Sequence, residues 1–257
     1  MKKINITISG GLGRMGKLLC EKTKKDKKLK LRSVTEYKNI TKQGVTYEIN
    51  SADALKNTDI VIDFTRPKCT LEILRIAVKT KKKLIIGTTG FTKKQQVTIN
   101  QASKKIPILQ SGNMSLGINL IQFLSNILSS KILKEYQIEI HDIHHKMKID
   151  YPSGTALMLG HAVAQGRNKT LDKIRGQVFL NKKGFGQKDK INFFIKRTGK
   201  VPGTHSVIFK TPKEIIEIKH TAKSRDLFAD GALNAAKWLM NKKPGFYTMR
   251  DFLNLKK

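Results

Sequence analysis

Ile4-Asn5-Ile6-Thr7-Ile8-Ser9-Gly10-Gly11-Leu12-Gly13-Arg14-Met15-Gly16 is the stretch whose reading decides the fold. Apolar and polar residues alternate through Ile4–Ser9, which predicts a strand, and a helical pattern follows over Met15–Lys25. A glycine cluster between a strand and a helix is the context a dinucleotide-binding unit requires. Glycine permits a tight turn and close approach of backbone to a pyrophosphate, and the helix start offers N–H groups and a positive dipole end. The literal GxGxxG match starts at Gly11 and the turn after the strand at Gly10, with Gly13 and Gly16 common to both registers. Glu36 closes the second strand 20 positions after Gly16, where a carboxylate binds adenosine ribose hydroxyls. The competing reading is a glycine-rich turn without a ligand.

Outward from this stretch, further strands are expected at Leu29–Thr35, Asp59–Phe64, Lys83–Gly87 and Ile106–Gln110. Helices are expected at Thr70–Lys81 and Thr92–Lys104, with Thr92 as an N-cap, while 36–53 reads as a loop with one brief strand. Alternating strands and helices imply a parallel sheet covered by helices. Ligands of such sheets lie beyond the carboxyl ends of the strands. Thr65-Arg66-Pro67, Gly87-Thr88-Thr89-Gly90 and Ser111-Gly112-Asn113-Met114 emerge at three such ends, with small and hydroxyl residues that admit a nicotinamide ribose and carboxamide. After Ser115 the pattern changes. A helix over Leu116–Ser130, strands at Tyr136–Ile143, Gln177–Leu180, Lys190–Lys196, His205–Phe209 and Glu214–His220, and a helix over Thr155–Gln165 predict an α+β domain on a mainly antiparallel sheet. A last helix is expected at Asp226–Asn241.

The 257 residues suffice for one large domain or two small ones. Apolar content of 39% and a mean hydropathy of -0.36 suit a globular chain, and no apolar run approaches the roughly 20 residues that span a bilayer. Met1-Lys2-Lys3 is not followed by the apolar stretch of a signal peptide. Cys20 and Cys69 have no CxxC spacing, so a cytoplasmic protein is expected. The net charge of +32 raises a rival reading, a basic nucleic-acid-binding protein with a vestigial Rossmann domain. Against it, the excess is mostly Lys, it is spread along the chain from Lys22–Lys30 to Lys242-Lys243, and aromatics are only 7%. Neither a specific nucleic acid nor a membrane is expected as a partner. Binding to duplex that persists above about 200 mM salt is what would favour the rival.

The densest polar cluster is His141-Asp142-Ile143-His144-His145-Lys146-Met147-Lys148-Ile149-Asp150-Tyr151-Pro152-Ser153-Gly154-Thr155. No second Cys/His cluster completes a coordination sphere, so no metal is expected. Histidine titrates near neutrality, and a lysine beside an anionic substrate stays protonated and donates. Ser153-Gly154-Thr155 opens a helix, whose N–H groups and Thr hydroxyl receive a carboxylate. A proton donor beside an anion pocket suits reduction of a small carboxylated unsaturated substrate.

These residues resemble the 4-hydroxy-tetrahydrodipicolinate reductase family. The likeness runs through Gly10–Gly16, Asp63-Phe64-Thr65-Arg66-Pro67, Gly87–Phe91 and Asn113–Asn119 to the signature HHxxKxDxPSGTA at His144–Ala156. It continues at Gly203-Thr204-His205, in place of the family's Gly-Glu-His, and at Ser224-Arg225, Phe228–Ala232 and Met249-Arg250-Asp251. The resemblance implies a Rossmann-like domain at 1–115 and 225–257 and an inserted substrate-binding and oligomerisation domain at 116–224. It implies dinucleotide contacts from Gly10, Gly11, Leu12, Gly13, Arg14, Met15, Glu36, Gly87, Thr88, Thr89, Ser111, Gly112, Asn113 and Met114. His144 is implied as the acid–base residue, Lys148 as the proton donor, and His145, Gly154 and Thr155 as contacts of a small dicarboxylate substrate. The implied reaction is reduction of 4-hydroxy-tetrahydrodipicolinate by NADH or NADPH, with loss of water, in the diaminopimelate route to lysine, by a homotetramer. Where members often carry Arg after the ribose-binding acid, this chain has Tyr37 and then Lys38, so Lys38 or Arg14 is the cation available to a 2′-phosphate and the choice between NADH and NADPH stays open.

Overall fold

The glycine stretch forms a strand–turn–helix, β1 (Ile4–Ser9) into α1 (Arg14–Lys25). A computed structural model of the chain describes residues 2–36, 39–42 and 45–255. It divides into two units, Met1–Met114 with Asp226–Lys257, and Ser115–Arg225. The first unit continues with β2 (Leu29–Glu36), β3 (Ile40–Lys42), β4 (Val45–Ile49), β5 (Ile60–Asp63), α2 (Pro67–Lys79), β6 (Lys83–Ile86), α3 (Lys93–Ser103) and β7 (Pro107–Gln110). The second comprises α4 (Leu116–Lys131), β8 (Gln137–His144), α5 (Gly154–Gly166), α6 (Leu171–Ile174), β9 (Arg175–Leu180), β10 (Ile191–Arg197), β11 (Gly203–Lys210) and β12 (Ile215–Ala222). The chain then returns to the first unit with α7 (Asp226–Leu239), β13 (Gly245–Tyr247) and α8 (Met249–Phe252).

The sheet of the first unit has the order β13-β7-β6-β5-β1-β2-β4-β3 and is parallel except for the β3–β4 pair. Its central strands are covered on both faces, which is why Ile60, Val61 and Ile62 form an unbroken apolar run with no exposed surface. Strand order departs to opposite sides of β1, with β2 on one flank and β5 on the other. That is the switch point at which open α/β sheets bind ligands. Local chemistry sets the helix starts. Pro67 opens α2 at a position where no N–H is needed. Thr92 caps α3, as expected, and Gln95 completes a capping box with it. The stretch 36–53 carries two short strands rather than one.

The second sheet, β12-β11-β8-β10-β9, is mixed, not mainly antiparallel. β8 pairs antiparallel with β11, and β11 with β12, but β10 runs parallel to both β8 and β9. The α5–α6 segment carries the chain back before β9 starts, and the connection at 181–190 carries it back again before β10, so that β9 and β10 share the direction of β8. Periodicity identifies a strand but carries no information on its direction. Alternation along the strands places Ile138, Ile140, Ile191, Phe193, Ile195, Val207 and Phe209 on one face, in a core with Ile118 and Ile121 of α4 and Leu159 and Val163 of α5. Continued by two residues, and by four on β8, the same period puts Asp142, His144, Arg197 and His205 on that face at one end of the core.

Candidate active site

At the switch point, the carboxyl ends of β1, β2 and β5 surround a cavity of about 590 Å³ lined by Ser9, Gly10, Gly13, Glu36, Asn50, Phe64, Thr65 and Arg66. Gly10 has φ +82°, a conformation that side chains rarely adopt, and a Cβ there would lie 2.6 Å from Thr65 Cγ2. A Cβ on Gly16 would lie 2.0 Å from the Gly10 carbonyl oxygen and 2.6 Å from Gly11 Cα, so the helix start packs directly on the turn. Gly13 provides no side-chain cap and the first turn of α1 has no acidic residue, which leaves the N–H groups of Arg14 and Met15 at an uncapped, positive helix end. The Leu12 N–H is turned away from this end and donates to Glu36 Oε1 at 2.6 Å, fixing the acid against the turn. The residues therefore fit a dinucleotide, with room for the pyrophosphate over Gly10–Met15 and a carboxylate for the ribose. Tyr37 and Lys38 lie outside the described residues.

The loops after β5 and β6 meet on Asp63, a residue to which sequence reasoning gave no role. Its buried carboxylate accepts from the hydroxyls of Thr65 at 2.7 Å, Thr70 at 2.6 Å and Thr88 at 2.8 Å. Burial pushes its pKa up, against the pull of those hydroxyls. Thr88 Oγ1 also accepts from the Thr65 N–H at 2.8 Å, so the two loops are held as one piece. Gly87 lies against Phe64, where a Cβ would come within 2.2 Å of the ring. Thr89 neighbours Gly112, and the Ser111 hydroxyl donates to the Asn113 carbonyl and accepts from the Asn113 N–H. Met114 is buried, its carbonyl packed on Gly231 of α7, and Asn113 beside it is buried as well.

In the second unit, β8 ends on His144, and its neighbours carry the partners in register. Asp142 is paired opposite His205 of β11, and His144 beside Arg197 of β10. Asp142 has no exposed surface. Its Oδ2 accepts from the Ser153 N–H at 2.8 Å and faces Arg197 Nη2 at 3.3 Å. Its Oδ1 lies 2.6 Å from His144 Nδ1 and 3.4 Å from His205 Nε2, the former contact bent from the best hydrogen-bond angle. Burial alone would raise the Asp142 pKa, but the contacts with His144, His205 and Ser153 outweigh it and hold the carboxyl far below the usual range. His205 is held below its ordinary value, by burial first.

Ser153, whose hydroxyl caps α5 by accepting from Ala156 N–H, therefore joins the start of that helix to the strand bearing His144. Gly154 and Thr155 are its first two residues. Lys148 lies in the connecting loop with Nζ 2.7 Å from Asp150 Oδ1. The loop's backbone is tied to the β10–β11 connection, His145 N–H to Val201 O at 2.9 Å and Lys146 N–H to Gly199 O at 3.3 Å. A Cβ at Gly203 would come within 2.9 Å of His144 Nε2, so this glycine leaves that nitrogen clear of a side chain.

The structure thus places His144, His145, Lys148, Gly154 and Thr155 within one strand end, loop and helix start. Asp142, Arg197, Ser153 and Gly203 complete the group and were not singled out from the sequence. The signal for Asp142 is its even spacing from His144 on β8, and Gly203 and His205 stand in the stretch that resembles the family's Gly-Glu-His; Arg197 has none, because only strand pairing brings it there. Among the described residues, Asp142, His144 and His205 have the composition of a metal site. The 2.6 Å between Nδ1 and Oδ1 leaves no place for an ion between them, since metal bonds of about 2 Å to each atom at a tetrahedral angle need more than 3 Å. Arg197 already supplies the positive charge.

The helices among the described residues include none long and apolar enough to cross a membrane. Residues 4–114 match the family model described as dihydrodipicolinate reductase, N-terminus, and residues 117–253 the model described as dihydrodipicolinate reductase, C-terminus. The 4-hydroxy-tetrahydrodipicolinate reductase of Pelagibacter ubique is 52% identical, with 100% of each chain covered. That of a Nitratiruptor species is 40% identical over 98% of this chain and 100% of its own. Among solved structures, the dipicolinate-bound dihydrodipicolinate reductase of a Paenisporosarcina species superposes with a TM-score of 0.79 at 19% identity, covering 99% of this chain and 100% of that one, a likeness of fold. On both family models and these full-length relatives, the chain belongs to the dihydrodipicolinate reductase family.

Proposed function

We propose that this chain reduces 4-hydroxy-tetrahydrodipicolinate to tetrahydrodipicolinate with NADH or NADPH, releasing water, in the diaminopimelate route of lysine biosynthesis. The observation that carries the reading is the joining of His144 to the start of α5 through Asp142 and Ser153, which sets the imidazole beside an anion-receptive helix end. Gly10–Met15 hold the pyrophosphate, Glu36 the ribose hydroxyls, and Gly87–Thr89 with Ser111–Met114 the nicotinamide side. When bound, the reduced nicotinamide supplies the hydride delivered to C4 of the substrate. His145, Gly154 and Thr155 hold the substrate carboxylates. Lys148 donates the proton taken up by the enamine-like carbon, and His144 serves as the acid–base residue that handles the proton balance as the 4-hydroxyl leaves as water.

The test is consumption of NADH and of NADPH with freshly generated 4-hydroxy-tetrahydrodipicolinate. Turnover with at least one is expected, and a folded protein that binds cofactor without turning over would remove the catalytic claim. Gly154→Ala tests the carboxylate contact. A Cβ there would meet no protein atom within 4 Å, so the fold has no need of glycine at this position. The melting temperature is expected to be retained while KM for the substrate rises about tenfold or more. An unchanged KM would mean that the substrate does not approach Gly154.

The outer face of the second sheet, opposite α4 and α5, carries Ile143, Phe194 and Ile208, with Phe194 stacked on Phe179. This apolar face supports a homotetramer, expected in light scattering at four times the 29.0 kDa of one chain, and a 29.0 kDa particle would overturn it. The free thiols Cys20 and Cys69 accord with the cytoplasm, to be checked by fractionation of the source cells.

A further inference from the structure

We propose that Asp142 is the positioning residue of the site, holding the His144 imidazole in one tautomer and, through Arg197, fixing the loop that carries Lys148; the proposal rests on His144 and Lys148 being the reacting pair. Burying a carboxylate is costly unless its oxygens are met by donors and its charge is paired. Asp142 meets both conditions with partners from four segments: His144 on its own strand, Arg197 on β10, His205 on β11 and the Ser153 N–H before α5. A carboxylate at Nδ1 keeps the ring proton on that nitrogen and leaves Nε2, on the side cleared by Gly203, to exchange protons. It also stabilises the imidazolium when Nε2 takes a proton.

Arg197 extends the same control to the loop. Its Nη2 reaches Asp142 Oδ2 at 3.3 Å and the Asp150 carbonyl at 2.7 Å, its Nε the Lys148 carbonyl at 3.2 Å, and its Nη1 the Asp142 carbonyl at 3.3 Å. One planar guanidinium thus bolts the backbone on both sides of the loop to the strand, and its fork geometry is not available to lysine. Of its three nitrogens, every one is committed to this task, so Arg197 is a brace rather than a substrate-binding cation.

The ionisable groups around His144 are Asp142, Arg197, His205 and, from the loop, Lys148, whose charge is felt at His205, with Asp150 paired to Lys148. Removing the Asp142 charge leaves mainly cations, so the imidazolium is disfavoured. In Asp142→Asn, kcat is expected to fall about 100-fold with NADH affinity unchanged. The acidic limb of the kcat/KM profile should move toward lower pH by about one pH unit or more. Asp142→Glu should recover part of kcat and return the limb toward its native position. In the native protein, ¹⁵N spectra assigned by loss of signal in His144→Gln should show the proton of neutral His144 on Nδ1, a readout that does not depend on any Asp142 variant folding. The proposal is overturned if that proton sits on Nε2, or if a folded Asp142→Asn keeps both kcat and the pH limb. If His144→Ala itself keeps kcat, the assignment of the reacting pair fails instead.

Discussion

Lys148→Ala and His144→Ala each lower kcat by about 10² to 10⁴-fold while NADH affinity stays within a factor of about two. The effect is large because a positioned proton donor acts only in the transition state, where its loss is felt in kcat and kcat/KM together. The fold tolerates both changes. Lys148 sits in a loop with its ammonium paired to the half-exposed Asp150, and its backbone is held by Arg197 irrespective of its side chain. Removing His144 leaves Asp142 with Arg197, His205 and the Ser153 N–H, so the buried charge is still met. The double variant should be little worse than either single one, since residues acting as a unit are not additive. Steady-state kinetics beside a thermal melt decide the matter. Two single variants with kcat within about threefold of native, in folded protein, would end the assignment.

Gly16→Ala is expected to weaken NADH binding by about 100-fold or more and to lower the melting temperature. The added methyl would lie 2.0 Å from the Gly10 oxygen and 2.6 Å from Gly11 Cα, both backbone atoms, so no side chain can rotate away. Relief requires α1 to move off the turn or the turn to move off β1. The first displaces the helix N-terminus from the pyrophosphate, and the second breaks the Gly10 N–H bond to Thr35 O. Overpacking of this kind costs about 1–3 kcal/mol of stability where relaxation is easy and more where backbone must shift. Fluorescence titration with NADH and a thermal melt measure the two effects separately. Native affinity in Gly16→Ala would mean that the turn does not cradle the dinucleotide.

The first unit was readable almost element by element because its determinants are local. The alternation of Ile4–Ser9, the glycines of the turn and the Thr92 cap act within a few residues, and β1, α1 and α3 lie where those signals put them, whereas α2 starts at Pro67, three residues before the Thr70 expected. Further exceptions are β3 and β4, two short strands where one is expected, and β13 and α8, short pieces late in the chain. β13 exists only because Gly245–Tyr247 is paired to β7, more than a hundred residues earlier.

For the second unit, the sequence by itself determined the strands, the Ser153-capped helix and the candidate residues His144, His145, Lys148, Gly154 and Thr155, since these follow one another within twelve positions. The tertiary structure decided strand direction, making the sheet mixed, because the return through α5 and α6 is a property of packing and not of periodicity. It also decided what surrounds His144. Asp142 came within reach of sequence reasoning through its two-residue spacing, but Arg197 and His205 lie 53 and 61 positions away and reach the site only through the registers of β10 and β11 on β8. A buried carboxylate draws its partners from whichever strands lie beside it, and which strands those are is settled by the pairing of the whole sheet.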